Sequence, residues 1–489
     1  MKPEIRIDPE VEADRDSENM PLVVDLDGTL VRSDLLVETF FALLKRNVLY
    51  LLLIPFWLAK GKAAFKHEIA LRTTLDAALL PYQQTFLQHL IGEHGKGRRL
   101  ILATASNEKI GRIVADHLGI FSDVLASNVT INLSGRRKLA CIEQLLDGQP
   151  FAYAGNAMVD LPIWARSGQV IVVNPLHGVK KAAEQQGAVH SVYDDREGSA
   201  LKRYLKAFRV HQWLKNLLVF VPLVMAHELG DAAQIGRAFL AFLAFSLCAS
   251  SVYLLNDLLD LPDDRQHPTK RDRPLAAGSI STVNAALLIP ALLLLSFSIS
   301  LILPPEFLAV LALYYGITLS YSFRLKRIAL IDVITLAGLY TIRIIAGTVA
   351  VSTIYSFWLL AFAMFLFLSL ALVKRYTELL LAQQSGKAKT SGRGYGTHDL
   401  ETLSQFGSSA GLMSVMVLAL YINSEKIQSL YAHPEVIWLL CPLILYLVTR
   451  IWLLARRGKV HEDPVVFVIR DRRSQLVAGL GALLLWLAM

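Results

Sequence analysis

The sequence predicts two fold classes in one chain: an N-terminal α/β Rossmann-like domain with a helical cap, then a C-terminal all-α bundle of nine transmembrane helices. Three observations point there. Up to about residue 207, short apolar runs alternate with helical patterns. From about residue 208, apolar runs approach the roughly 20 residues a bilayer crossing needs. Basic residues gather in every second loop between those runs.

Composition agrees. Of 489 residues, 54% are apolar and only 18% charged, against about a quarter charged in soluble globular chains. The net charge of +8 sits in loops between apolar runs. A membrane surface or an anionic substrate accounts for that better than nucleic acid. The three cysteines, Cys141, Cys248 and Cys441, are scattered, which argues against a disulfide framework or a zinc site. The first 20 residues are polar and acidic, with no apolar run of a signal peptide. They are expected to form a disordered tail, and the domain after them to stay in the cytosol.

The first domain is placed at 21–195, with a linker at 196–207. Its expected strands are 21–27, 98–106, 151–156 and 169–175, each ending in polar residues. In such sheets the ligand sits at the carboxyl ends of the strands. About residues 34–95 form a long helical insertion that includes NVLYLLLIPFWLAKG. That run is short for a span, and spanning would split one sheet across a membrane. It is read as a helical cap, either resting on the bilayer surface or turned away from it.

The first strand ends in VVDLDGTL, which places Asp25 and Asp27 two residues apart. One carboxylate can attack phosphorus while the second protonates the leaving alcohol and then activates water. Gly28 suits the tight turn. This pattern resembles the signature of haloacid dehalogenase (HAD) phosphatases, and later matches follow in order: Thr104 after ILA, Lys138 in SGRRKLA, and AGNAMVD with Asp160. The resemblance implies a HAD-like domain with Asp25 as nucleophile and Asp27 as acid/base. It also implies Thr104 on the phosphate, Lys138 as charge balance, and Mg²⁺ held by Asp25, Asp27, Asn156 and Asp160. Asn156 stands where that family usually has Asp. That change weakens the metal site and leaves a degenerate, structural domain as the alternative.

The membrane part, 208–489, contains about nine apolar segments centred near 220, 245, 292, 313, 340, 363, 413, 443 and 481. With a cytosolic N-terminus, the loops after the second, fourth, sixth and eighth segments are cytosolic. Those loops carry most of the Lys and Arg, as the positive-inside rule requires. The C-terminus then lies outside.

At the cytosolic end of the second segment stands LLNDLLDLPDDRQHPTKRDRP. Asn256, Asp257, Asp260 and Asp264 are spaced to put three carboxylates on one helix face, unless Pro262 ends the helix and a loop places Asp264. Converging carboxylates repel unless a cation holds them, and hard oxygen ligands suit Mg²⁺ bridging to phosphates. Lys270, Arg271 and Arg273 follow and can neutralise phosphate. The pattern is similar to the UbiA superfamily, over about residues 208–489, and implies a UbiA-type bundle. Further stretches resemble its decaprenyl-phosphate phosphoribosyltransferase group: HQWLKN (211–216), YSFRLKRIALID (321–332), RIIAG (343–347) and KRYTEL (374–379).

Where the aromatic prenyltransferases carry a second DxxxD loop, this chain has Lys326 and Asp332, with Arg343 inside the fifth segment. The resemblance implies a substrate site that includes Asn256, Tyr321, Lys326, Asp332, Arg343, Lys374 and Arg375. It implies Mg²⁺-dependent transfer of 5-phosphoribose from phosphoribosyl pyrophosphate (PRPP) to a polyprenyl phosphate, with the HAD-like domain removing the 5-phosphate. The alternative is transfer of a prenyl group to an aromatic or other small acceptor. The last cytosolic loop offers His461, Asp463, Asp471 and Arg472 without assigned roles. The sequence is compatible with a homo-oligomer.

Overall fold

The structure, a computed structural model, describes residues 20–489 except 188, 197, 387, 390–392 and 461–462. The expected tail therefore lies outside the described residues, apart from Met20. Two compact units result. One contains the residues up to Phe208 together with Tyr253–Ile289. The other contains Arg209–Val252 and Pro290–Met489.

The first unit is built on a six-stranded parallel sheet in the order β3-β2-β1-β4-β5-β6. Its strands are β1 (Leu22–Val24), β2 (Leu100–Asn107), β3 (Asp123–Ser127), β4 (Ala152–Gly155), β5 (Gln169–Val173) and β6 (Val189–Tyr193). The four inner strands are those expected. They are buried on both faces, which makes their sequences continuous apolar runs. The edge strands β3 and β6 were not anticipated. Their residues are mostly half-exposed, so DVLAS and VHSVY carry no such run.

Between β1 and β2 lies the expected helical insertion. Its main helices are α1 (Leu35–Arg46), α2 (Lys62–Arg72) and α3 (Gln84–Gly95). Asp34 caps α1 by accepting a hydrogen bond from the Val37 N–H at 2.9 Å. Between α1 and α2 an apolar tip projects, with Leu49, Leu52 and Phe56 at 63%, 68% and 67% exposure. After β2 and β3 come α4 (Glu108–Leu118) and α5 (Arg136–Leu145).

The acid-rich segment follows α6 (Ala232–Leu259), which stops one residue short of Asp260. A separate short helix, α7 (Leu261–Gln266), then begins with Pro262 in its first turn. Neither a single helix face nor a loop places Asp264. Proline is tolerated in a first turn, where its missing N–H costs no helical bond, so it restarts the helix.

Among the described residues, seven helical stretches are long and apolar enough to cross a membrane. They are α6, α8 (Thr282–Ser300), α9 (Pro305–Phe323), α10 (Ile331–Ala350), α11 (Phe357–Gln384), Thr397–Ile422 containing α12 (Leu400–Ile422), and Pro434–Arg456 containing α13 (Leu440–Arg456). Of the nine expected segments, the first and the last fall short of that length. Val210–Phe220 is wound as a 3₁₀ helix and turns α-helical only over Val221–Met225. The last helix, α14 (Arg472–Ala488), has 17 residues, about 25 Å against a hydrocarbon core of about 30 Å.

Close packing of α11, α12 and α13 turns on two glycines of α12, Gly407 and Gly411; a Cβ at Gly411 would lie 2.3 Å from Cγ1 of Val448. A Cβ at Gly407 would lie 1.9 Å from Cζ2 of Trp452. The Trp452 ring is pinned by its Nε1–H donating to Ser369 Oγ at 3.0 Å, and Ser369 donates to the Gly407 carbonyl at 2.7 Å. With both neighbours fixed, the ring cannot retreat. Gly407→Ala should lower stability by about 1–3 kcal/mol, read as an earlier thermal unfolding transition in detergent; an unchanged transition would show that the three helices do not pack this closely.

Candidate active sites

In the first unit the carboxyl end of β1 delivers Asp25 and Asp27. Lys138, reaching in from α5, donates to Asp25 Oδ1 at 2.7 Å and to the Tyr153 hydroxyl at 3.2 Å. The Thr29 hydroxyl donates to Asp25 Oδ2 at 3.4 Å. Burial pushes the Asp25 carboxyl up to about 7, against the pull of Lys138 and with help from Asp160 and Asp27. Asp27 Oδ1 accepts from the Leu35 N–H at 2.8 Å. Its Oδ2 accepts from Ser106 at 2.7 Å and from Thr104 at 3.2 Å. Burial, reinforced by Asp34, pushes Asp27 up to about 6.

Two hydroxyls and one backbone N–H hold Asp27 on this geometry. Thr104 holds Asp27, and Ser106, which the sequence did not single out, holds it more closely. Asp27 turns its carboxylate toward those hydroxyls and the start of α1. Asp160 commits its oxygens to the Tyr153 hydroxyl at 2.9 Å and to the N–H groups of Asn156 and Ala157 at 3.1 Å each. It therefore shapes the loop that carries Asn156. Asn156 lies over Gly28, whose φ is +78°; a Cβ there would sit 2.1 Å from the Asn156 amide nitrogen. Glycine is required on both counts.

The same unit holds the acid-rich cluster. Asp257, at the end of α6, and Asp264, on α7, both accept from one nitrogen of Arg273, at 3.2 and 2.6 Å. Asp260 instead accepts from Lys45 at 2.8 Å, and Lys45 also reaches Asp263 at 2.6 Å. Lys45 lies in the last turn of α1, the helix whose first N–H holds Asp27. In its first turn, Glu38 takes both terminal nitrogens of Arg265 in a buried pair. Lys270 and Arg271 are exposed.

In the second unit the predicted residues fall into three groups. Arg375 and Asp332 form a buried pair; Arg375 also donates to Glu378 at 2.5 Å and to the Tyr321 hydroxyl at 2.9 Å. The Tyr395 hydroxyl donates to Asp332 from the other side. Arg393 donates to Tyr321 at 3.1 Å and to the Lys326 carbonyl at 3.4 Å. Lys374 joins a different group: it and Lys215 both donate to Asp463 Oδ2, at 3.0 and 2.8 Å. These two lysines hold the Asp463 carboxyl well below the usual range even though burial opposes them. Arg343 belongs to neither group. It donates to Asn216 at 2.7 Å, to the Tyr314 hydroxyl at 3.0 Å and to the Leu339 carbonyl. Asp471 pairs with Arg450, and His461 lies outside the described residues.

With that geometry in hand, relatives can be placed. The profile of the UbiA prenyltransferase family matches residues 217–468, just over half the chain. This chain belongs to the UbiA prenyltransferase family. The uncharacterized protein y4nM of Sinorhizobium fredii is 36% identical over 475 residues, 96% of this chain and 91% of that protein. Decaprenyl-phosphate phosphoribosyltransferase of Mycolicibacterium smegmatis is 41% identical over 186 residues, 37% of this chain and 58% of the transferase. A solved UbiA homolog from Archaeoglobus fulgidus bound to GPP and Mg²⁺ aligns at 18% identity and a TM-score of 0.46, covering 58% of this chain and 99% of its own.

UbiA membership together with the seven long apolar helices makes this an integral membrane protein. The acid-rich cluster of this UbiA chain also suits a divalent metal. Its donors are all oxygens, two buried carboxylates already converge on one cation, and Asn256 Oδ1 is buried with no hydrogen-bond partner among the described residues. No three His, Cys, Asp or Glu side chains among the described residues form a group that could hold an ion.

Arg375 is the residue on which the buried network of this UbiA bundle depends. Arg375→Met should destabilise by roughly 3–5 kcal/mol, because it strands the Asp332 carboxylate in the interior. Arg375→Lys should recover only part of this, since an ammonium cannot fork to Asp332, Glu378 and Tyr321 at once. Thermal unfolding in detergent distinguishes them; equal stability of all three proteins would contradict the assigned pair.

Proposed function

We propose that the chain transfers 5-phosphoribose from PRPP to a polyprenyl phosphate in the membrane. We further propose that its N-terminal unit, as a HAD-like phosphatase, removes the 5-phosphate of the product. The observation that carries the first half is the convergence of Asp257 and Asp264 on a single cation beside the buried, unpartnered Asn256 oxygen. The likeness to decaprenyl-phosphate phosphoribosyltransferases supports it over part of the chain. The basic loops support a cytosolic N-terminus and cytosolic sites.

In this reading Asn256, Asp257, Asp260 and Asp264 bind the pyrophosphate end of PRPP through Mg²⁺. The ion, when bound, supplies charge screening for the departing pyrophosphate. Arg273 leaves its two carboxylates to meet phosphate oxygens, and Lys270 and Arg271 lie next to it in sequence to neutralise the same group. The C1–O bond of the ribose breaks with oxocarbenium character, and an oxygen of the lipid phosphate forms the new bond. That oxygen is already anionic, so no strong base is needed. Lys215 and Lys374 share the single Asp463 carboxylate. Their surplus positive charge suits the lipid phosphate.

In the phosphatase half, Asp25 attacks the 5-phosphate and the ester P–O bond breaks. Asp27 gives its proton to the departing ribose oxygen, then takes one from the water that releases phosphate from Asp25. Lys138, oriented by Tyr153, balances charge on the phosphate. Asp25 and Asp27, with Asn156 beside them, would hold the Mg²⁺ that screens the phosphate charge.

The test is purified protein in detergent with Mg²⁺, radiolabelled PRPP and a polyprenyl phosphate, scoring extracted lipid for label and then for loss of the 5-phosphate. Absence of labelled lipid would overturn the transferase reading.

A further inference from the structure

A cavity of about 450 Å³ opens on the first unit between the helical insertion and the start of α5. Lys60, Lys62 and Arg137 line it together with Thr130 and Asn132, and no carboxylate does. Its position relative to Asp27 follows from two hydrogen bonds. Lys66, one turn along α2 from Lys62, donates to Asn132 Oδ1 at 2.7 Å and to the Ala105 carbonyl at 2.6 Å. Ala105 lies between Thr104 and Ser106, whose hydroxyls hold Asp27. On the opposite wall, Arg137 immediately precedes Lys138, which holds Asp25. The lining is thus adjacent in sequence to Lys138 and tied through Lys66 to the Thr104–Ser106 segment, while Lys60, Lys62 and Arg137 form no ion pair with Asp25 or Asp27 among the described residues.

Its surroundings are amphiphilic. Gly61, at φ +98°, leaves open space where a Cβ would stand. Val129, which lines the cavity, is exposed at 50%, and Ile131, two residues on, at 48%. The apolar tip that carries Leu49, Leu52 and Phe56 leads directly into Lys60. Cations that flank exposed apolar surface suit a ligand with an anionic group joined to a hydrocarbon chain.

We propose that this cavity binds a second anionic group, a phosphodiester, of the same substrate whose phosphomonoester meets Asp25. The first unit thereby selects a lipid-linked sugar phosphate over a simple sugar phosphate. This rests on the phosphatase reading above and names its substrate class. Lys60, Lys62 and Arg137 are specificity residues that touch the diester, and Lys66 is a positioning residue that fixes Asn132 against the β2 end.

The experiment uses full-length protein with Mg²⁺ and two soluble probes, ribose 5-phosphate and its 1-(butylphosphoryl) diester, with phosphate release measured against concentration. The double variant Lys62→Ala/Arg137→Ala should raise KM for the diester at least about tenfold, with kcat held and the ribose 5-phosphate parameters unmoved. Lys62→Arg should retain the diester preference. Equal loss on both probes, or no loss on the diester, overturns the inference and leaves the phosphatase reading standing. Phosphate released from neither probe by the unaltered protein overturns the phosphatase reading, and the inference with it. A KM effect seen in anionic nanodiscs but absent in neutral detergent assigns the cavity to bilayer headgroups and also overturns it.

Discussion

Asp257→Asn should reduce label transfer from PRPP to lipid by about 10²–10³-fold, with little change in thermal unfolding. The side chain is buried at 3% exposure, and asparagine keeps its shape. Arg273 keeps its second carboxylate, Asp264, at 2.6 Å, so the segment stays pinned. What disappears is one of the two negative charges that face the shared cation position, and with it the ability to hold a divalent ion against pyrophosphate. Raising Mg²⁺ should recover part of the activity if the charge is a metal ligand. A variant that transfers normally would exclude Asp257 from the site. A variant that unfolds early would assign it to structure, with the Arg273 pair as its role.

Asp25→Asn should reduce removal of the 5-phosphate by at least about 10³-fold while label transfer continues. Extracted lipid should then accumulate in the phosphorylated form. The amide cannot form the acyl phosphate, so the loss falls on the chemical step. Lys138 keeps its bond to Tyr153 and its attraction to Asp160, which limits damage to the fold. Dephosphorylation at the normal rate would move that chemistry elsewhere. Loss of both activities together would mean that the two sites depend on each other. The structure offers a physical connection for that outcome: one helix, α1, holds Asp27 with its first N–H and Asp260 with Lys45 in its last turn.

Much of the first unit was legible because its chemistry is local in sequence. Four buried strands announce themselves as apolar runs, and Asp25 and Asp27 follow directly on the first of them. The spacing of Asp257, Asp260 and Asp264 likewise marked an acid cluster at the end of an apolar helix. Ser106 was passed over because a serine two residues after Thr104 carries no signal until β2 brings it to Asp27. Lys215 was missed for the same reason: it acquires a role only when it meets Lys374 and Asp463, both distant in sequence.

The sequence by itself determined the division into a parallel α/β region and apolar helices, the residue types at both sites, and the surplus of cations near them. These follow from periodicity, length and spacing, which are properties of neighbouring residues. Partner choice was decided only by tertiary structure. Asp332 pairs with Arg375 while Arg343, on the same helix as Asp332, turns to Asn216 and Tyr314. Three carboxylates spaced for one helix face divide between Arg273, which takes Asp257 and Asp264, and Lys45, which takes Asp260. A buried charge takes the opposite charge or dipole that packing brings within about 3 Å, and that partner stands anywhere from 9 to 215 positions away in these pairs.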